Sequence, residues 1–157
     1  MPRFCFVHAA DLHLDTPFAC HQASSPRIAE ALREATFQAF DRVIAACLEN
    51  DAAFLLVAGD VFDAAQKSLR AQLRFFQGLE RLARQSIPVF VAHGNHDPLD
   101  SCSASLRPPA NTHVFGPEVE TREVRRRDEL LATVTGVSHP GKSELRNLAR
   151  LFPPPNP

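Results

Sequence analysis

Three short apolar runs, each ending in a polar loop that carries carboxylates and, in two of the three, imidazoles, constrain this chain more than any other feature. They are residues 4–8 (FCFVH), 53–58 (AFLLVA) and 87–92 (IPVFVA). Each is short and bounded by turn residues, as buried parallel strands are. A helical pattern fills each gap between them. The first begins near Pro26, with Ser24 or Ser25 available as its cap and Pro26 suited to the first turn. Ile28, Leu32, Ala35, Ala39, Val43 and Cys47 then recur at helical spacing, and Phe37 and Phe40 join them as core packing against the sheet. The second pattern, residues 68–85, turns Leu69, Leu73, Phe76, Leu79 and Ala83 inward and Arg70, Arg74, Arg81 and Arg84 to solvent. Strand, helix, strand, helix, strand predicts an α/β fold with a parallel sheet and right-handed crossovers. At 157 residues there is room for one compact domain.

Beyond Pro98 the texture changes, because nine of the 13 prolines lie from there onward and helical periodicity weakens. Residues 111–115, 119–125 and 131–137 read as short strands, and residues 143–151 as a short helix. Residues 1–152 form one domain portion in this reading, and the tail 153–157 (PPPNP) is a polyproline-type stretch.

Several function classes fall away on composition. No apolar run approaches the roughly 20 residues of a membrane helix. The start meets Asp11 too soon for a signal peptide, so the cytoplasm is the default expectation. Cys5, Cys20, Cys47 and Cys102 form no C-x-x-C pair, which excludes a zinc ribbon or a thioredoxin-like site and leaves reduced, mostly buried thiols. With no Tyr and no Trp, no mechanism here uses a phenol. Residues 1–66 hold four Arg against nine Asp/Glu, and residues 67–157 hold thirteen Lys/Arg against nine, so net charge runs from −5 to +4. A cation site beside an anion-binding surface suits that division.

The chemistry sits where the three runs end. The first runs into Asp11-Leu12-His13, with Asp15 following; the second into Gly59-Asp60, with Asp63 three residues on; the third into His93-Gly94-Asn95-His96-Asp97. In a parallel sheet all three loops emerge on one edge, where open α/β folds bind their ligands. Carboxylate, carboxamide and imidazole together suit Mn²⁺, Fe²⁺ or Zn²⁺ better than Ca²⁺. Gly59 and Gly94 allow sharp turns and close approach. Two ions sharing a carboxylate, about 3.5–4 Å apart, could clamp a phosphodiester. His8, within the first run, reads as a core or supporting histidine.

The ordered set D-x-H, G-D-x-x-D and G-N-H-D resembles the calcineurin-like metallophosphoesterase superfamily. The flanking FVHAADLHLDTPF, LLVAGDVFD and VFVAHGNHDP are similar to its branch of exonucleases that process DNA double-strand breaks. The resemblance implies a partial metallophosphoesterase sandwich, a parallel βαβαβ core followed by short strands, with the second half of the sandwich missing. It implies two divalent ions, most naturally Mn²⁺. Asp11 and His13 would bind the first, Asp60 would bridge both, and Asn95 would bind the second. His96 would stabilise the transition state or protonate the leaving oxygen. Asp63 or Asp97 would hold its ring, with Asp63 favoured because phosphatases of the superfamily pair that aspartate with the motif histidine. In that family hydroxide attacks phosphorus in line and no covalent enzyme intermediate forms. DNA as substrate, a homodimer and a coiled-coil ATPase partner follow from the same resemblance.

The superfamily adds a later histidine and a G-H-x-H motif, and neither can be read here. After Asp97 only His113 and His139 remain; His139, at the end of a strand, is a substitute ligand in principle and a loop histidine by default. The expectation is an amino-terminal portion of a longer nuclease domain that binds metal weakly and exposes a sheet edge. A small-molecule phosphoesterase and a non-catalytic remnant are the alternatives. Arg125, Arg126 and Arg127 read as a solvated turn between strands rather than a DNA-phosphate contact.

Overall fold

The computed structural model describes residues 3–17, 25–63, 68–101 and 107–154. Cys20, Ser24, Cys102 and the end of the proline tail therefore lie outside the described residues. Four strands, β1 (Val7–Ala9), β2 (Leu55–Ala58), β3 (Val89–Ala92) and β4 (Thr112–Val114), form one sheet in that order. Every pairing in it is parallel, as the alternation of apolar runs and helical patterns predicts. β4 extends the sheet beyond the three strands on which that prediction rests. A second, antiparallel pair, β5 (Glu120–Arg126) and β6 (Glu129–Gly136), makes a hairpin.

Two helices supply the crossovers. In α1 (Pro26–Glu49), Ser25 is the cap and its side chain accepts from the Ile28 amide. In α2 (Leu69–Ala83), Ser68 does the same for Ala71 at 2.9 Å. Phe37, Phe40 and Ile44 of α1 and Phe75, Leu79 and Leu82 of α2 pack with Leu55, Val57, Val89 and Val91. The alternate residues of the same strands, Leu56, Phe90 and Ala92, pack with Phe115 and with Val124 and Val134 of the hairpin. The layers are thus helices, sheet and hairpin. Burial on both faces is why the central runs are apolar without alternation.

Five expectations need correction. The buried face of α1 is Ala29, Phe37, Phe40, Ile44 and Cys47, and Ile28 is 51% exposed. In α2, Leu69 and Leu73 are exposed, and Ala71, Gln72, Phe75, Gly78, Leu79 and Leu82 face inward. The reason is the close approach of the helices at Gly78, where a Cβ would lie 2.5 Å from the Phe40 ring. That approach also brings Arg70, Arg74 and Arg81 of α2 onto Glu30, Glu34 and Asp41 of α1 instead of leaving them to solvent alone. His8 is exposed, because β1 is an edge strand with no neighbour on its outer side among the described residues. Residues 143–151 contain only a 3-10 turn, Leu148–Leu151. Leu145 there is almost fully exposed, so no burial rewards a helix. Among the described residues no helix is long and apolar enough to cross a membrane.

Candidate metal centre

The loops leaving β1, β2 and β3 knit together at the carboxyl edge of the sheet. The Asp11, His13 and Leu14 amides donate to the Gly59, Asp60 and Val61 carbonyls at 3.0–3.2 Å, and the Gly59 amide donates to Ala92. Asp11, His13, Asp15 and Asp60 all hold positive φ between 42° and 63°. Left-handed backbone at a non-glycine residue costs about 1–3 kcal/mol and persists where its surroundings over-determine it.

One over-determining group is Asp97, which is fully buried. Its carboxylate accepts from the Gly94 amide at 2.8 Å, the Asp60 amide at 3.1 Å and the Val61 amide at 2.9 Å, and lies 3.4 Å from His93 Nδ1. Burial pushes its carboxyl upward, yet His93 and the backbone donors outweigh that and hold it below the ordinary aspartate value. Asp97 therefore clasps the second and third loops, and the ring it touches is His93, not His96. The other anchor is Asp15, whose side chain accepts from Ser68 Oγ at 2.5 Å and whose amide donates to Thr36 Oγ1 at 3.2 Å. It ties the first loop to both helices. Neither role was legible beforehand, since the cross-loop partners (Asp60 and Val61 for Asp97, Thr36 and Ser68 for Asp15) lie 21 to 53 residues away. The only available signal was that both acids sit in polar loops at strand ends.

On this frame Asp11, His13 and Asp60 each offer a ligand atom, and the three atoms lie within 4.8 Å of one another. His13, Asp63 and His96 form a second such group. The His96 amide donates to Asp60 Oδ1 at 3.0 Å, and its Nδ1 lies 3.5 Å from Asp63 Oδ1. The His13 and His96 rings meet edge to face, with centroids 5.2 Å apart. Asn95 is exposed on the turn between Gly94 and His96, both of which bond to this network. Gly94 has a steric duty: a Cβ there would sit 2.1 Å from Asp60 Oδ1. Gly59, at φ +81°, turns the chain beside it.

His139 belongs to neither group among the described residues. Its amide donates to the His93 carbonyl, and its Nδ1 is buried without a hydrogen-bond partner. The donor set fits a divalent metal: two carboxylates and an imidazole converge in a mixed oxygen and nitrogen cradle, which Gly94 keeps open.

The profile of the calcineurin-like phosphoesterases matches residues 5–154. The chain belongs to that family. Its members are hydrolases acting on phosphoric esters, with a dinuclear metal site. This calcineurin-like phosphoesterase chain is 36% identical over 148 residues to an uncharacterized metallophosphoesterase, YhaO, of Bacillus subtilis, covering 94% of this chain and 36% of that protein. It is 32% identical over 97 residues to the DNA double-strand break repair protein Mre11 of Aeropyrum pernix, covering 62% of this chain and 21% of that one. The Mre11 of Archaeoglobus fulgidus is 33% identical over 92 residues, covering 59% and 19%. The phosphoesterase chain thus spans roughly a third or less of the length of these curated relatives.

Proposed function

We propose that this chain carries the metal-binding and proton-transfer edge of a phosphodiesterase that acts on DNA ends. The convergence of Asp11, His13 and Asp60 within reach of one ion, with His96 and Asp63 alongside, carries the reading. Asp11, His13 and Asp60 would hold the first ion; Asp60 and Asn95 would contribute to the second. A bound divalent cation, Mn²⁺ in this reading, neutralises phosphate charge and makes water more acidic. His96 stands at the exposed side of the cradle, its backbone fixed by Asp60 and its ring by Asp63, and protonates the leaving oxygen. Similarity to the archaeal Mre11 proteins supports DNA as the substrate. The same reading puts the protein in the cytoplasm, with a second copy and a coiled-coil ATPase as partners.

The longer match to YhaO, whose name carries no nucleic-acid term, favours a second reading, a small-molecule phosphoesterase built on the same edge. Hydrolysis of a chromogenic phosphodiester and a phosphomonoester, each titrated with Mn²⁺, separates the two. The proposal expects diester turnover that Asp60→Asn abolishes and that His96→Asn slows about 10²–10⁴-fold. Preference for the monoester would transfer the site to the second reading. No turnover at any Mn²⁺ concentration would leave a non-catalytic binding module.

A further inference from the structure

All eight non-glycine residues with positive φ fall in two places among the described residues. Four are at the metal edge. The other four, Asp51, Ser86, Arg127 and Asp128, lie at the opposite end of the sheet, beneath the amino ends of β2 and β3. Asp51 and Ser86 follow the carboxyl ends of α1 and α2, where glycine is the usual terminator. Arg127 and Asp128 form the two-residue turn between the paired Arg126 and Glu129, and two positive φ values there favour Asn-Gly. At three of these positions the chain carries a longer polar side chain, and those three line one open cavity of about 350 Å³. Gln85, Arg125 and Arg126 share its wall.

The partners in this wall are unevenly used. Arg126 grips Asp51 in a two-pronged ion pair, both prongs at 3.0 Å, which docks the hairpin turn and neutralises the only acid in the lining. Arg125 uses two of its nitrogens on Glu123 and on the Asp128 carbonyl. Arg127 makes no ion pair or hydrogen bond with any described residue. Three guanidinium groups in the lining against Asp51 and the Glu123 carboxylate on Arg125 leave one positive charge in excess, that of Arg127. A turn or a helix end alone requires none of this.

We propose that the cavity is an anion site for a terminal phosphate, the dianionic phosphomonoester group. The unpaired Arg127 guanidinium and the Arg125 nitrogen left unused by Glu123 and Asp128 offer donors to an anion, and planar guanidinium forks suit phosphate oxygens. The space exceeds a bare phosphate and admits a nucleotide-sized body. The site is separate from the metal edge, since β2 and β3 run between them, about 13 Å of strand. The terminal phosphate can come from a free nucleotide or from the 5′ end of a DNA strand; the chemistry recognised is the same.

The test is calorimetric titration of the full chain in EDTA with inorganic phosphate, AMP, and a short oligonucleotide with and without a 5′-phosphate. The proposal expects saturable phosphate binding that Arg127→Asn weakens about tenfold or more. Asn is a preferred residue at that turn position, so the variant loses the charge without losing the fold. Ser86→Gly relieves a positive φ while deleting the hydroxyl, so it should weaken phosphate binding without lowering the thermal midpoint. AMP binding without oligonucleotide binding identifies a nucleotide ligand; preference for the 5′-phosphorylated oligonucleotide identifies a DNA end. Asp60→Asn should leave phosphate binding intact. Absence of saturable binding, affinity unchanged from the parent chain in Arg127→Asn and Ser86→Gly, or loss of binding in Asp60→Asn would overturn the assignment.

Discussion

The two ends of the sheet hold strained backbone in opposite ways. At the metal edge the clamp is Asp97, fully buried and bonded to three amides from two loops. At the opposite end it is the Arg126–Asp51 pair, whose side chains are 42% and 83% exposed. Both hold left-handed residues in place, but a buried carboxylate with no access to water cannot exchange its partners, whereas an exposed pair can at little loss. The comparison teaches that a similar count of hydrogen bonds can lock one loop cluster and leave another adaptable. A metal cradle needs the first property, and a site that closes on an anion benefits from the second.

The largest effect should come from removing each clamp in turn. Asp97→Ala leaves one buried and two part-buried amides, and the His93 ring, without their acceptor and should destabilise the fold by about 3–5 kcal/mol. Arg126→Ala removes an exposed pair and should cost about 0–1 kcal/mol. Urea denaturation of both variants measures the contrast through the midpoint, with the slope unchanged. Equal losses would erase the distinction between the two ends.

The asymmetry bears on what could be read beforehand. The three loops at the carboxyl edge of the sheet were legible because each is local: an apolar run, then a polar turn, within a dozen residues of sequence. Parallel order then followed from the intervening helical patterns. The helix faces differ from the apolar pattern because that spacing allows more than one stripe, and tertiary packing makes the choice through Gly78 against Phe40. Glycine carries no hydrophobic signal, so the pattern pointed to Leu69 and Leu73 instead. His8 reads as a core or supporting histidine because a short apolar strand does not announce whether it is central or at an edge. The Asp97 clasp and the Asp15–Ser68 tie depend on contacts far apart in sequence, which periodicity cannot reveal. Of the three arginines expected in a turn only Arg127 lies there, since Arg125 and Arg126 end β5, and their approach to the ends of both helices depends on contacts about 75 residues apart in sequence.

A sharper probe of the metal edge is Gly94→Ala. The added methyl would meet Asp60 Oδ1 at 2.1 Å and the Asp60 amide nitrogen at 2.8 Å, so either the carboxylate or the loop must move. Overpacking of this kind costs about 1–3 kcal/mol. The proposed role of Asp60 adds a second readout, a fall in Mn²⁺ affinity of about 10–100-fold, as when an orienting partner of a ligand is lost. Electron paramagnetic resonance of free Mn²⁺ in a protein titration follows it directly. Unchanged affinity with lowered stability would mean that Asp60 is spared and that the loop absorbs the methyl.

The smallest effect concerns two thiols at the adaptable end. Cys47, in the last turn of α1, is fully buried, and burial pushes its thiol up to about 11. Cys5 is exposed, its sulfur donating to the Asn50 carbonyl at 3.1 Å. A thiol protonated more tightly in the folded state than in the unfolded one stabilises the fold below the unfolded value. That contribution fades as pH rises from about 9 toward 11. At pH 8 the folded chain should therefore take up iodoacetamide at Cys5 and leave Cys47 unmodified, as peptide mapping by mass spectrometry would show. Should the exposed clamp at this end permit local opening, Cys47 would label slowly while the chain stays folded, and Arg126→Ala would quicken that labelling more than it lowers global stability. Labelling of Cys47 at the rate of global unfolding, with and without Arg126, would show instead that the end beneath the strands is as tightly held as the metal edge.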